Sequence, residues 1–169
     1  MSVRLLGAVL LGAVFLYIGG AICVQWQRNV EALGAVCRLS SALHDGIAMM
    51  GLPIGDIIAV FHDDFLEKTG FLPDVRRRLA EDPAADALSA AFAVCARDFT
   101  FDTGDAALIG SFFAKIGSED RAREGERCAY VHTRLQSRYA EAAAALPARC
   151  RIAKTVCGAL GCTAALMLL

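Results

Sequence analysis

The chain has 169 residues, room for one domain of ordinary size beside a membrane segment. Its 17 basic and 18 acidic side chains nearly cancel, and no basic run is interleaved with aromatic residues, so the composition argues against a nucleic-acid-binding protein. Seven cysteines occur without a CxxC motif, which argues against a disulfide framework and suits a reducing compartment.

The N-terminal segment 5–27 carries no charged residue and lies between Arg4 and Arg28. At about 1.5 Å per residue, a helix of this length spans roughly 34 Å, enough for a hydrocarbon core of about 30 Å. Trp26 lies near its end, where aromatic residues anchor a helix at the membrane interface. The sequence therefore predicts an N-terminal transmembrane helix over residues 1–27.

Two other interpretations of this segment are open. Gly19-Gly20-Ala21 is similar to a small-residue cleavage site, which would make the chain an exported protein after signal cleavage near Ala21. Cys23 suggests a lipid-attachment site, but Ile22 is bulky where such a site needs a small residue. The apolar segment is longer than the roughly 7–15 residues of a signal-peptide core, which favours an uncleaved anchor.

Residues 28–151 are predicted to form a bundle of six helices, because apolar residues recur at helical spacing and strand-type alternation is nearly absent. The apolar face of the first helix runs from Val30 to Met50, and Gly51 and Pro53 break it. Pro147 is expected to end or kink the last helix. The predicted helices cover residues 28–50, 54–69, 73–80, 83–99, 105–116 and 119–146.

The C-terminal segment 152–169 is predicted to be a second transmembrane helix, with Lys154 reaching the headgroups. Small residues let two helices approach closely in a membrane, and both terminal segments carry a stripe of them. The residues predicted to pack the two helices together are Ala8, Gly12, Gly19, Ala153, Cys157, Gly161 and Ala165. The fold class expected is all-α, a membrane-anchored six-helix bundle flanked by N- and C-terminal transmembrane helices.

Basic residues flank the bundle side of both apolar segments, at Arg28 and Arg38 and again at Arg149, Arg151 and Lys154. Because basic residues collect on the cytoplasmic side of membrane helices, this distribution predicts that the bundle, residues 28–151, lies in the cytoplasm.

Few residues suggest catalysis. His62, Asp63 and Asp64 offer part of a metal site, but no fourth ligand follows at a characteristic spacing. The triplet 102–104, Asp-Thr-Gly, matches that of aspartic proteases, yet their chemistry needs two such carboxylates, and Asp102 is also a favoured helix cap. We expect a non-enzymatic protein with no cofactor, metal or small-molecule substrate; the alternative is a small membrane-anchored enzyme that uses His62, Asp63 and Asp102.

The densest polar segment is 117–124, with the sequence GSEDRARE. Gly117 is a natural helix end, and the acidic residues after it complement the dipole of the next helix. A second interpretation makes Gly117, Asp120, Arg121 and Glu124 a specific polar contact, either within the bundle or with a partner protein.

The layout of the whole chain resembles the stage III sporulation protein AB family of endospore-forming bacteria. Its start RLLGAVLLG, the break MMGLPIGD, the segment KIGSEDRAREGE and the end LGCTAALMLL look like landmarks of that family. The family pattern Leu-Gly-x-x-Asp-Arg-x-x-Gln appears at 116–124 with Ile116 for Leu and Glu124 in place of Gln. The break is one residue tighter than in the family, with only Leu52 between Gly51 and Pro53.

This resemblance implies a component of a channel-like assembly between mother cell and forespore, in the mother-cell membrane around the forespore. The soluble domain of the family is similar to the F-type platform protein of type II secretion and type IV pilus systems, a helical bundle that contacts a cytoplasmic secretion ATPase. The implied partners are the membrane, the stage III sporulation secretion ATPase and other subunits of the same complex. The implied role is a scaffold without catalytic residues.

Overall fold

The computed structural model describes residues 2–81, 87–95, 99, 101–116 and 121–168, with the side chains of all of these except 2–6, 121–122 and 168. No strand occurs in these ranges, so the all-α prediction is confirmed. The elements in chain order are α1 (Ser2–His44), a π-helical segment (Asp45–Met50), α2 (Ile54–Val60), α3 (Asp64–Lys68), α4 (Phe71–Glu81), α5 (Ala87–Cys95), α6 (Thr103–Lys115) and α7 (Arg121–Leu168).

The chain forms two compact units. The terminal unit contains residues 1–28 and 141–169, and the central unit contains residues 29–140, so α1 and α7 contribute to both. Two helical stretches, Gly7–Met50 and Arg123–Met167, are long and apolar enough to cross a membrane. The prediction of long apolar helices at both ends of the chain is thus confirmed.

In the terminal unit, α1 and α7 run antiparallel and touch through small residues. A Cβ atom added to Gly19 would lie 3.1 Å from Cβ of Cys157. A Cβ atom added to Gly161 would lie 3.2 Å from Cβ of Phe15 and 3.5 Å from Cα of Gly12. These distances are shorter than nearly all contacts that a Cβ atom makes, so glycine at both positions favours the close approach of the two helices.

Phenylalanine rings from α3, α4, α5 and α6, together with Phe99 and Phe101, form the core of the central unit. Phe113 on α6 packs against Phe71 on α4, with ring centroids 5.8 Å apart, and against Phe92 on α5 at 5.5 Å. Phe99 lies 6.4 Å from Phe71 and 5.9 Å from Phe65 on α3. Aromatic pairs at such distances contribute about 0.5–1.5 kcal/mol each beyond the burial of their area. This cluster holds the short helices together.

The prediction of a single helix over 54–69 is wrong, because the chain there forms two helices, α2 and α3, with a break between them. Phe61 and Asp63 have extended backbones. The Asp63 carboxylate accepts hydrogen bonds from the N–H groups of Phe65 and Leu66, each at 3.1 Å, and so caps α3. Arg76 on α4 donates to the Phe61 carbonyl oxygen at 2.6 Å and satisfies backbone that the break exposes. Periodicity misses this break because apolar side chains keep the helical spacing on both sides of it.

Pro147 does not end a helix, which is one of the two effects predicted for it: α7 continues through Pro147 to Leu168. Proline removes one backbone hydrogen bond, and the four alanines at 142–145, the strongest helix formers, offset part of that loss. The helix start predicted at Asp82-Pro83 and the helix end at Gly117 lie outside the described residues.

Two predicted boundaries are confirmed. Gly51 has a φ of 64° and Pro53 precedes α2, so the chain breaks where the sequence places the turn. Asp102 caps α6, because its carboxylate accepts a hydrogen bond from the N–H of Thr103 at 2.8 Å. Residues 102–103 therefore begin a helix, as the capping interpretation predicts.

Candidate partner-docking surface

An exposed apolar turn follows the end of α1 in the central unit. The segment Asp45–Met50 winds as a π-helix, and Gly51 closes it in the left-handed conformation that favours glycine. Beyond the buried part of this segment, Met49 and Met50 are 77% and 70% exposed, and Leu52 is 40% exposed. We call residues 49–52 the methionine turn.

The expectation that Met50 extends the buried face of the first helix is wrong. A π-helix closes each hydrogen bond one residue later than an α-helix, so side chains after Ile47 leave the 3.6-residue stripe. Gly46 and Ile47 are buried, and a Cβ atom added to Gly46 would lie 2.4 Å from Cδ1 of Ile57 on α2. The methionines that follow face solvent, where flexible thioether side chains can adapt to an irregular partner surface.

The first turns of α7 lie against the segment that leads into the methionine turn. A Cβ atom added to Gly125 would lie 3.3 Å from Cβ of Ala48. Arg127 donates through Nη1 to the carbonyl oxygen of Lys115 at 2.7 Å, which ties α7 to the end of α6. The fold thus brings Gly125 against Ala48, the residue just before MMGLPIGD, although the two lie far apart in the sequence.

Beneath this contact, Glu124 and Cys128 are buried, the latter with 1% of its surface exposed. Burial, and after it the charge of Glu124, raise the pKa of the Cys128 thiol to about 11, although Arg127 acts in the opposite direction. The thiol is therefore protonated at neutral pH. The exposed side chains of these turns are Arg123, Glu126 and Tyr130. Together with the methionine turn they form what we call the docking surface.

Of the four residues predicted to make a specific polar contact, only one has a described side chain. Gly117 and Asp120 lie outside the described residues, and Arg121 begins α7 with its side chain also outside them. Glu124 is 8% exposed, a position that fits a contact within the bundle. The specific contact stays a prediction.

The residues considered for catalysis have separate partners. Asp63 accepts hydrogen bonds from Arg38, with Oδ2 2.8 Å from Nε and 2.7 Å from Nη2, in addition to capping α3. His62 is exposed, and its Nδ1 lies 3.4 Å from Oε1 of Glu67. Asp102 caps α6. The two carboxylates that were the strongest candidates thus serve helix starts, a role that requires no substrate.

A serine–histidine pair that sequence spacing does not reveal links α1 to α7 within the central unit. Ser40 is fully buried, and its Oγ lies 3.1 Å from Nδ1 of His132. The same hydroxyl donates to the carbonyl oxygen of Cys37 at 2.8 Å. Because its one proton is used there, the Ser40 hydroxyl is not placed to give that proton to His132, as a nucleophile does to a general base. The pair fastens two helices.

The structure brings most of the small residues predicted to pack the terminal helices into one contact. The neighbours are Gly12 with Gly161, and Gly19 with Ala153 and Cys157. Ala8 is buried and Ala165 is half-buried. The Cys23 thiol, on the same side of α1, donates to the carbonyl oxygen of Cys150 at 3.6 Å.

Comparison with known proteins gives one match. The family model described as Stage III sporulation protein AB matches residues 4–169. No curated protein and no solved structure matches the chain.

Proposed function

We propose, from the premise that this chain belongs to the stage III sporulation protein AB family, that it is a membrane scaffold of a secretion-like channel complex. The family places the protein in stage III of sporulation. In this proposal the complex lies between mother cell and forespore, the terminal unit anchors the chain in the mother-cell membrane, and the central unit docks a cytoplasmic secretion ATPase and other subunits.

The observation that supports docking is the methionine turn. Large apolar side chains that face solvent side by side, next to charged residues, mark interaction sites on soluble domains. Methionine is enriched at protein interfaces and adapts to different partners. The contact between Ala48 and Gly125 places this turn beside the polar first turns of α7, so apolar anchors and polar rim lie together.

Replacing both Met49 and Met50 with Glu tests this surface. We expect co-purification of the secretion ATPase with the full-length protein to fall about tenfold or more, because two apolar anchors become charged at a buried interface. Thermal unfolding should not change, since both side chains already face water.

The matched control replaces Val94 with Glu, at a side chain on α5 that is 60% exposed. Co-purification should survive this change. Equal capture of the ATPase by the wild type and the double methionine variant would remove the methionine turn from the proposal. Charge reversal of Glu124 is a poor substitute, because that side chain is buried and its loss would disturb folding as well as docking.

The cytoplasmic placement of the central unit has its own test. Cys95 and Cys128 are buried, and the raised pKa of Cys128 further slows its alkylation, so neither is a useful native reporter. A cysteine at the exposed position Ala93 is a better one. With the native cysteines replaced and the protein produced in the surface membrane of non-sporulating cells, we expect an impermeant maleimide to label Ala93→Cys only after the cells are permeabilised. Labelling from outside intact cells would overturn the placement and, with it, docking of a cytoplasmic ATPase.

A further inference from the structure

The terminal unit carries a strong excess of positive charge. Within residues 1–28 and 141–169 there are five basic side chains and one acidic one, Glu141. Four of the basic side chains are described, and all four are exposed: Arg28, Arg149, Arg151 and Lys154. We call these four the cationic band.

The antiparallel pairing of α1 and α7 places the four residues of the cationic band in one short stretch of the helix pair. The bond from the Cys23 thiol to the Cys150 carbonyl sets those two residues side by side, so Arg149 and Arg151 flank that level. At about 1.5 Å per residue, Arg28 lies roughly 7.5 Å to one side along the helix axis, and Lys154 lies roughly 6 Å to the other. The four cations thus lie within a stretch of about 14 Å along the helix axis.

No described protein group neutralises the band. In the central unit, Arg38, Arg76 and Arg138 each bond to a carboxylate at 2.7–2.9 Å. The four band residues form no ion pair and donate no side-chain hydrogen bond within the described part of the chain. Clustered cations repel one another unless an anion lies between them, which points to a ligand outside the protein.

We infer that the cationic band binds the phosphate groups of anionic phospholipids. The inference rests on the proposed membrane insertion of the terminal unit. Trp26, two residues before Arg28, is of a residue type that is enriched at membrane interfaces. Lys154, at the start of the C-terminal apolar segment, can place its charged end at the headgroups. Basic side chains at this depth attract anionic headgroups, and arginine binds phosphate oxygens in a bidentate manner.

Trp26 is the only tryptophan of the chain and provides the readout. The full-length protein is reconstituted in phosphatidylcholine vesicles that contain either dibrominated phosphatidylglycerol or dibrominated phosphatidylcholine, whose bromines quench tryptophan fluorescence on contact. We expect the anionic lipid to be preferred on the order of fivefold near Trp26 at low salt, and the preference to weaken as salt rises.

The test variant is Arg149→Gln with Arg151→Gln, and the matched control is Lys68→Gln with Arg134→Gln, two exposed basic residues of the central unit. Both remove two positive charges. In the test variant, the preference for the anionic lipid over phosphatidylcholine should fall to a ratio close to one, while the control variant should keep the wild-type preference. An equal preference in wild type and test variant would overturn the inference.

Two further outcomes are decisive. If soluble glycerophosphate abolishes the preference at concentrations that leave bulk salt effects unchanged, the ligand is a soluble phosphate and the lipid assignment is wrong. Alkaline carbonate extraction of the same vesicles separates the two proposals. A chain that is extracted was never inserted, so membrane anchoring fails; a chain that resists extraction but shows no lipid preference fails only the present inference.

Discussion

Replacing Phe113 with Ala should lower the free energy of unfolding of the central unit by about 3–5 kcal/mol. The ring is 2% exposed and packs against the rings of Phe71, Phe92 and Phe112 at centroid distances of 5.5–5.8 Å. Its removal opens a cavity at the point where α4, α5 and α6 meet. Since domains of this size are stable by only about 5–15 kcal/mol, the loss takes away a large share of the total.

Denaturant titration of the full-length protein in detergent, followed by circular dichroism, measures this loss. Val94→Ala, on the exposed face of α5, is the matched control and should change the unfolding free energy by less than about 0.5 kcal/mol. If Phe113→Ala lowered the unfolding free energy as little as Val94→Ala does, the phenylalanine cluster would not be a main source of the stability of the central unit.

Replacing Gly19 with Leu should separate the terminal helices. The added side chain would begin 3.1 Å from Cβ of Cys157 and 3.6 Å from the carbonyl oxygen of Ala153, where no space exists for it. Overpacking typically costs about 1–3 kcal/mol, so the equilibrium constant for pairing should fall on the order of tenfold. Gly20→Leu is the control, because a Cβ atom there meets nothing within 4 Å.

Cys23 and Cys150 report the pairing, since the thiol of one already bonds to the backbone of the other. In a variant that keeps only these two cysteines, mild oxidation in membrane vesicles should cross-link them within one chain. Gly19→Leu should slow this cross-linking about tenfold, and Gly20→Leu should leave it unchanged. Because both variants gain the same apolar side chain, a difference between them reports packing and not insertion. Equal slowing by both would contradict the contact at Gly19.

Sequence patterns correctly predicted those parts of the fold that depend on the chemistry of one segment. The charge-free ends, the break at Gly51 and Pro53, and the cap at Asp102 each follow from the properties of one segment. Gly19 and Cys157, which both belong to the small-residue stripes, lie in contact, and small residues are what a close helix approach requires.

Other features depend on contacts between distant segments and could not be read from spacing. The break at Asp63 is stabilised by Arg38 and by Arg76, which lie on two other helices. The bond between Ser40 and His132 joins positions 92 residues apart. The outward turn of Met50 follows from a π-helical segment, whose winding no 3.6-residue pattern contains.

The exposure of Met49 and Met50 has a chemical consequence. Thioethers that face solvent are open to oxidation, and a methionine sulfoxide is polar where the thioether is apolar. Since neither side chain supports the core, oxidants would make the surface of this turn polar and leave the fold intact. Methionine sulfoxide reductases reverse that change, so the same two sulfur atoms make the surface both vulnerable to oxidative stress and repairable.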